Sequence, residues 1–218
     1  LETRIGGWEV ELATPTGTLA RAGASMGALS VSRGAAVACD AGRFVAVGAE
    51  PELTSRFRGR EVLDAGGGLA IPGLVDSHTH PVFLGTREGE FEQRIGGRSY
   101  VEIAAAGGGI RSSLEGVRGS TEHLLLAALL PRLDRFLQLG TTTIEAKTGY
   151  GLTVADELKG LDVIAAANQA HAVELVATCL GAHDVPPEFN GRPDDWIEIV
   201  CEELWPAAAT KAAFADVF

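Results

Sequence analysis

The rhythm of apolar and polar positions changes early in the chain. Before Ile71 the apolar residues come in short runs bounded by glycine. Phe44–Val47 lies inside G-R-F-V-A-V-G, Gly42–Gly48, and Glu61–Gly68 reads E-V-L-D-A-G-G-G. Short runs ending in glycine predict strands and turns. No helical period of useful length occurs before Ile71, so residues 1–70 are expected to form a small β unit, a β-sandwich.

From Ile71 onward the pattern becomes strand, helix, strand, helix. I-P-G-L-V-D-S-H-T-H, Ile71–His80, starts with an apolar run suited to a strand buried in a parallel sheet. Between Ser120 and Leu139, Leu124, Leu125, Ala128, Leu129 and Leu133 recur at helical spacing. Ser120 is the expected N-cap, and Pro131 is expected to kink or divide the helix. Thr141–Gly151 then predicts a strand, Ala155–Ala170 a helix and Val173–His183 a third strand. Asp194–Ala209 predicts a helix with Pro206 near its end, and Ala215–Phe218 the start of a fourth strand. This alternation implies a parallel sheet of βα units. A closed (β/α)8 barrel takes roughly 250 residues. The expected fold is therefore α/β: residues 71–218 as about half of a TIM-type (β/α)8 barrel, preceded by the β unit of residues 1–70. Its last strand should present an open edge whose backbone groups need a partner.

Composition narrows the function classes. A formal net charge of −11 disfavours nucleic acid as a partner. It leaves room for a small anionic substrate, since one buried Arg can set a local field. Cys39, Cys179 and Cys201 are few and far apart, with no C-x-x-C pair. That usage fits a reduced, cytoplasmic setting. The opening L-E-T-R-I-G-G-W-E-V has no basic start and no apolar core of a signal peptide. No stretch approaches the ~20 apolar residues of a membrane span, so no membrane is expected.

His78 and His80 form H-T-H. Residues i and i+2 of a strand share a face, so two imidazoles there can hold one metal ion. They follow the apolar run, at the strand end that forms the active-site face of a barrel. A bare H-x-H also arises by chance as two surface histidines. The longer string D-A-G-G-G-L-A-I-P-G-L-V-D-S-H-T-H, Asp64–His80, is far more specific. A β unit followed by P-G-L-V-D-x-H-x-H resembles the amidohydrolase superfamily. Within it, H-T-H-P-V-F-L-G-T-R-E-G-E-F-E-Q-R-I-G-G-R-S-Y-V-E-I-A-A-A-G-G-G-I, His78–Ile110, resembles imidazolonepropionases. So do T-T-T-I-E-A-K-T-G-Y-G-L, Thr141–Leu152, L-G-A-H-D-V-P-P-E-F, Leu180–Phe189, and I-V-C-E-E-L-W-P-A-A-A near the end. The likeness runs from about Asp64 to Phe218 and is weaker before that.

The resemblance implies a hydrolase of histidine degradation. It would open a cyclic amide, 4-imidazolone-5-propanoate plus water giving N-formimidoyl-L-glutamate. It implies one divalent or trivalent metal ion, zinc or iron, held by His78 and His80 and activating water. Arg87 would bind the substrate carboxylate, as a guanidinium can in two-toothed fashion; otherwise it is a solvated Arg beside Glu88 and Glu90. Tyr100 and Tyr150 would contact the substrate, or else pack as cleft aromatics. Tyr150, between Gly149 and Gly151, is expected at an exposed loop tip. His183 would act at the ring, a neutral imidazole donating to its carbonyl; the alternatives are a structural His or a third metal ligand.

Lys147 fits a structural role better than that of a carbamylated bridge between two metals. His123 and His171 match no site motif. The A-A-A-G-G-G-I run, Ala104–Ile110, lacks the phosphate-loop pattern and is expected to be a flexible loop facing the site. The family takes a further His and Asp ligand, and a Glu that helps activate water, from later barrel strands. Phe218 precedes them, so these residues alone are expected to be inactive, and the complete enzyme is expected to be a homodimer. Rival readings are another cyclic-amide amidohydrolase or deaminase, and a non-catalytic fragment that only binds metal or a partner chain.

Overall fold

In a computed structural model the described residues are 3–6 and 10–218. Residues 1, 2 and 7–9, part of the opening segment discussed above, lie outside them. Contacts divide the chain into two compact units, Leu1–Pro72 and Gly73–Phe218.

The first unit holds two small sheets. One runs β5-β4-β1-β6, from β1 (Thr3–Gly6), β4 (Ala35–Asp40), β5 (Arg43–Ala49) and β6 (Glu61–Asp64). The other runs β3-β2-β7, from β2 (Glu11–Pro15), β3 (Leu29–Arg33) and β7 (Leu69–Ala70). They meet where β2 approaches β4 and β3 approaches β5. Ala36, Ala38 and Leu53 form the buried centre, with Ala46 and Phe57 against it. Leu53 belongs to α1 (Glu50–Arg56), a helix absent from the expectation for this region. Leu53 is its sole buried side chain, and a helix that buries one residue leaves no apolar period to read.

The second unit is built on four parallel strands in the order β11-β10-β9-β8. These are β8 (Leu74–Thr79), β9 (Thr141–Lys147), β10 (Glu174–Ala182) and β11 (Phe214–Val217). The sheet is a partial barrel. α5 (Glu122–Gln138) and α6 (Val154–Ala170) cover it. Leu125, Leu129 and Leu133 of α5 meet Ile144 of β9, Leu161 and Ile164 of α6 and Leu175 of β10 in one core. Each such side chain fully buried contributes ~1.5–3 kcal/mol.

Several local expectations are corrected. Thr121, not Ser120, caps α5: its side chain accepts the Leu124 N–H at 3.3 Å. The Ser120 hydroxyl instead donates to the Gly116 carbonyl, at the end of the preceding helix. Pro131 does not divide α5. It is exposed and costs one backbone hydrogen bond, while the neighbouring Leu129 and Leu133 are fully buried.

Three helices fill the stretch between β8 and α5: α2 (Glu88–Ile95), α3 (Tyr100–Ala105) and α4 (Ile110–Arg118). Accordingly, the A-A-A-G-G-G-I run is not one flexible loop. Ala105 ends α3, Ile110 starts α4, and the Gly109 N–H between them donates to Glu90 Oε1 at 3.1 Å.

The last helical segment has three parts: α7 (Pro193–Ile199), a π-helical turn over Val200–Leu204, and α8 (Trp205–Ala208). The Trp196 indole donates to the Gly181 carbonyl at 3.1 Å. A Cβ on Gly181 would come within 2.1 Å of Leu204 Cδ2, so a larger residue there would force the buried Leu204 side chain to shift. Among the described residues no helix is long and apolar enough to cross a membrane.

Candidate active site

The C-terminal ends of β8, β9 and β10 gather four rings. His78 lies in β8 and His80 just beyond it, with ring centroids 5.5 Å apart and planes at 65°. One ion shared at the ~2.0–2.1 Å of metal–imidazole bonds would require a nitrogen of each ring to point to the same spot. His80 stacks on His183 at 4.6 Å with planes only 7° apart. Tyr150 lies 5.2 Å from His80 and 5.5 Å from His183. His183 sits directly after β10. Tyr150 is not an exposed tip: it is half-buried and packs on the main core.

The loop after β9 orients these rings. His80 Nδ1 is 3.1 Å from the Thr148 carbonyl oxygen, and His183 Nδ1 is 2.9 Å from that of Gly149. A carbonyl only accepts, so each Nδ1 carries the proton. Neutral His80 then keeps a bare Nε2, the form in which imidazole binds a metal. Burial, reinforced by His183, His78 and Lys147, lowers the His80 pKa from 6.5 to about 4, although the Thr148 bond opposes this. The donor chemistry of His80 therefore fits a metal. Among the described residues, no group of three or more His, Cys, Asp or Glu side chains is arranged to hold an ion. The same kind of bond at His183 constrains how that ring can act. With its Nδ1–H committed to Gly149, a neutral ring has no proton left on Nε2, and only the imidazolium donates from there.

Glu157 holds the loop, although it stands in no site motif. It is fully buried and accepts the N–H groups of Gly149, Gly151 and Leu152, each at 2.8 Å. Its one visible trace was a carboxylate at a core-facing helical position, in line with Gly160, Leu161 and Ile164, which are also buried.

Lys147 is buried and donates to Asp216 Oδ2 at 2.6 Å, with Glu145 Oε1 at 3.0 Å. Burial works against its charge, but the two carboxylates outweigh that and raise its pKa.

Arg87 immediately precedes α2 and pairs with Glu90 at 2.5 Å. Glu90 is itself anchored by Ser112 Oγ at 2.9 Å and by the Gly109 N–H. The Glu90 bond outweighs partial burial and raises the Arg87 pKa, with smaller effects from Tyr150 and Tyr100. Arg87, Tyr100 and Arg94 line a cavity of about 340 Å3. Tyr100 also lines one of about 590 Å3 with His183, Trp205 and Phe218. His123 is exposed on α5. His171 faces Asp134 at 3.1 Å, away from the four rings.

No family model matches the chain. Its sequence is 56% identical over 154 residues to an imidazolonepropionase of Ectopseudomonas mendocina, covering 70% of this chain and 38% of the relative. It is 48% identical over 209 residues to that of Chloroflexus aggregans, covering 91% and 49%. It is 43% identical over 212 residues to that of Solibacter usitatus, covering 96% and 50%. The chain thus spans about half the length of most of the curated relatives it matches. Among solved structures, guanine deaminase from Bradyrhizobium japonicum aligns with a TM-score of 0.54 at 16% identity, over 93% of this chain and 41% of that one. Guanine deaminase from E. coli aligns at 0.53 and 15%, over 93% and 44%. An adenosine deaminase from Xanthomonas campestris with bound zinc aligns at 0.51 and 19%, over 98% and 41%. These likenesses concern the fold alone. By its sequence, the chain belongs to the imidazolonepropionase family.

Proposed function

We propose that this chain supplies the first half of the active site of a metal-dependent hydrolase that opens the ring of 4-imidazolone-5-propanoate to give N-formimidoyl-L-glutamate. The observation that carries this reading is the cluster of His78, His80, Tyr150 and His183 at the ends of three parallel strands. In this reading His78 and His80 hold one zinc or iron ion, which supplies Lewis-acid activation of water and of the scissile carbonyl. The zinc bound to the Xanthomonas campestris deaminase of like fold supports a metal here. Completing the ligand set and closing the barrel fall to residues from later strands.

Arg87 binds the propionate carboxylate. A guanidinium has five N–H donors, so it can take that carboxylate while it still holds Glu90. Tyr100, which lines a cavity with Arg87, and Tyr150, which packs by His80 and His183, offer phenol groups to the substrate. His183, with Nδ1 on the Gly149 carbonyl, is left with Nε2 to meet the ring oxygen where negative charge develops, and a proton there would stabilise that charge. The net charge of −11 makes a local cation such as Arg87 the natural docking point for an anion.

The test has two arms. Zinc is titrated into the purified chain and into His78→Ala and His80→Ala; both substitutions are expected to weaken binding. Ring opening is then assayed in the protein extended to its relatives' full length, where Arg87→Ala should mainly raise KM. Zinc binding indifferent to both histidines, or kcat/KM unchanged by Arg87→Ala, would reject the assignment.

A further inference from the structure

We infer that Glu157 is a positioning residue for this site, setting the orientation and tautomer of His80 and His183 through the backbone of the loop after β9. Its carboxylate takes three N–H groups from one short loop: Gly149 on Oε2, and Gly151 and Leu152 on Oε1, all at 2.8 Å. The Gly149 N–H and the Thr148 carbonyl belong to one peptide unit. That unit therefore runs from the carboxylate at one end to His80 Nδ1 at the other, 3.1 Å away. Hydrogen bonds in such a chain polarise one another. A carboxylate pulling on the N–H makes the carbonyl a stronger acceptor, which holds the proton on Nδ1 and leaves Nε2 bare. The next carbonyl, that of Gly149, docks His183 in the same way at 2.9 Å. Two rings stacked at 4.6 Å are thus seated on two consecutive carbonyls, and Glu157 pins the residue between them.

Carboxylates that orient metal-binding histidines normally bond the imidazole directly; here a peptide unit stands between. The left-handed backbone of Leu152, φ +50°, is held by the same carboxylate. The bonds of Glu157 go to the loop backbone and those of the two rings to the loop carbonyls, so Glu157 acts on the rings through that backbone. The chemical use of this arrangement rests on the function proposed above; the arrangement itself does not.

The experiment is long-range 1H–15N NMR of the 15N-labelled, metal-free chain at a pH where the rings are neutral. His80 and His183 should carry their proton on Nδ1. His171 is an internal control with the opposite form, because its Nδ1 accepts the Val173 N–H at 3.0 Å. In Glu157→Gln one amide face would meet an N–H head-on. His80 should then become a mixture of tautomers, while His171 stays unchanged. Exchange of the Gly149, Gly151 and Leu152 amides should quicken by about tenfold or more, the effect of losing a bond to a charged acceptor. Affinity for zinc alone should fall about 10- to 100-fold, the usual cost of losing a ligand's supporting partner.

An Nε2–H form of His80 in the unsubstituted protein would overturn the inference, as would a Glu157→Gln variant with unchanged tautomers and exchange. If that variant loses the His171 signature and with it the fold, the unsubstituted protein decides. Through-hydrogen-bond couplings from the three loop nitrogens to the Glu157 carboxyl carbon support the inference, and their absence defeats it. Correct tautomers without zinc binding would sink the metal assignment alone; zinc binding with the wrong tautomers would sink the role of Glu157 alone.

Discussion

Gly149 cannot be replaced without moving His183. Its φ is +108°, and a Cβ there would sit 2.7 Å from His183 Nδ1, 2.9 Å from His183 Cβ and 2.9 Å from the Leu180 carbonyl oxygen. Gly149→Ala thus combines a strained backbone with overlap at the ring that the loop is meant to seat. It should cost about 1–3 kcal/mol of stability. Denaturant unfolding checks this, and an unchanged midpoint would contradict it. Arg87 presents a different residue-scale question, one of shape rather than space. A lysine keeps the charge but cannot hold Glu90 and a substrate carboxylate in one planar fork. In the full-length protein, Arg87→Lys should raise KM roughly tenfold or more with a smaller change in kcat, as steady-state kinetics can show.

At the scale of elements, the two long helices of the second unit begin alike but bear differently on the site. Thr121 caps α5 and Thr153 caps α6, the latter accepting the Asp156 N–H at 3.0 Å. Replacing either with Ala should cost about 1 kcal/mol. Only Thr153→Ala should also quicken amide exchange at Gly149, Gly151 and Leu152, because Glu157 lies in the first turns of α6. Equal exchange in the two variants would mean that the helix start and the loop are uncoupled.

The same elements show where sequence is a good guide. α5, β9, α6 and β10 are long, and each buries a full stripe or face, so their apolar period is plain. α1 to α4 are short and separated by turns, and three of them fall between Gly85 and Gly119. Their order depends on contacts such as Glu90 to Gly109 and Ser112, which no local pattern announces. In the site, the histidines, Arg87 and the tyrosines stand inside recognisable motifs. Glu157 does not, because its partners are backbone N–H groups, which leave no mark on the residue pattern.

For the second unit as a whole, the decisive feature is how the sheet ends. Among the described strands β11 pairs only with β10, and β8 only with β9. Phe214, Val217 and Phe218 are 61%, 64% and 93% exposed on the β11 side. A row of free backbone groups flanked by bare apolar side chains is a template for pairing with another chain. The one polar anchor on this strand, Asp216, is spent on Lys147, so it does little to repel a neighbour. The polypeptide of these 218 residues should therefore self-associate as its concentration rises. Lys on such an edge blocks pairing through its charge. Val217→Lys combined with Phe214→Lys should move the weight-average mass in sedimentation equilibrium toward that of the monomer. The pair leaves Asp216, Lys147 and the rings of His78, His80 and Tyr150 in place, so the tautomer pattern at His80 should persist. A parent chain that stays monomeric at high concentration would show that β11 is not an adhesive edge, as would a double variant that associates as strongly as the parent.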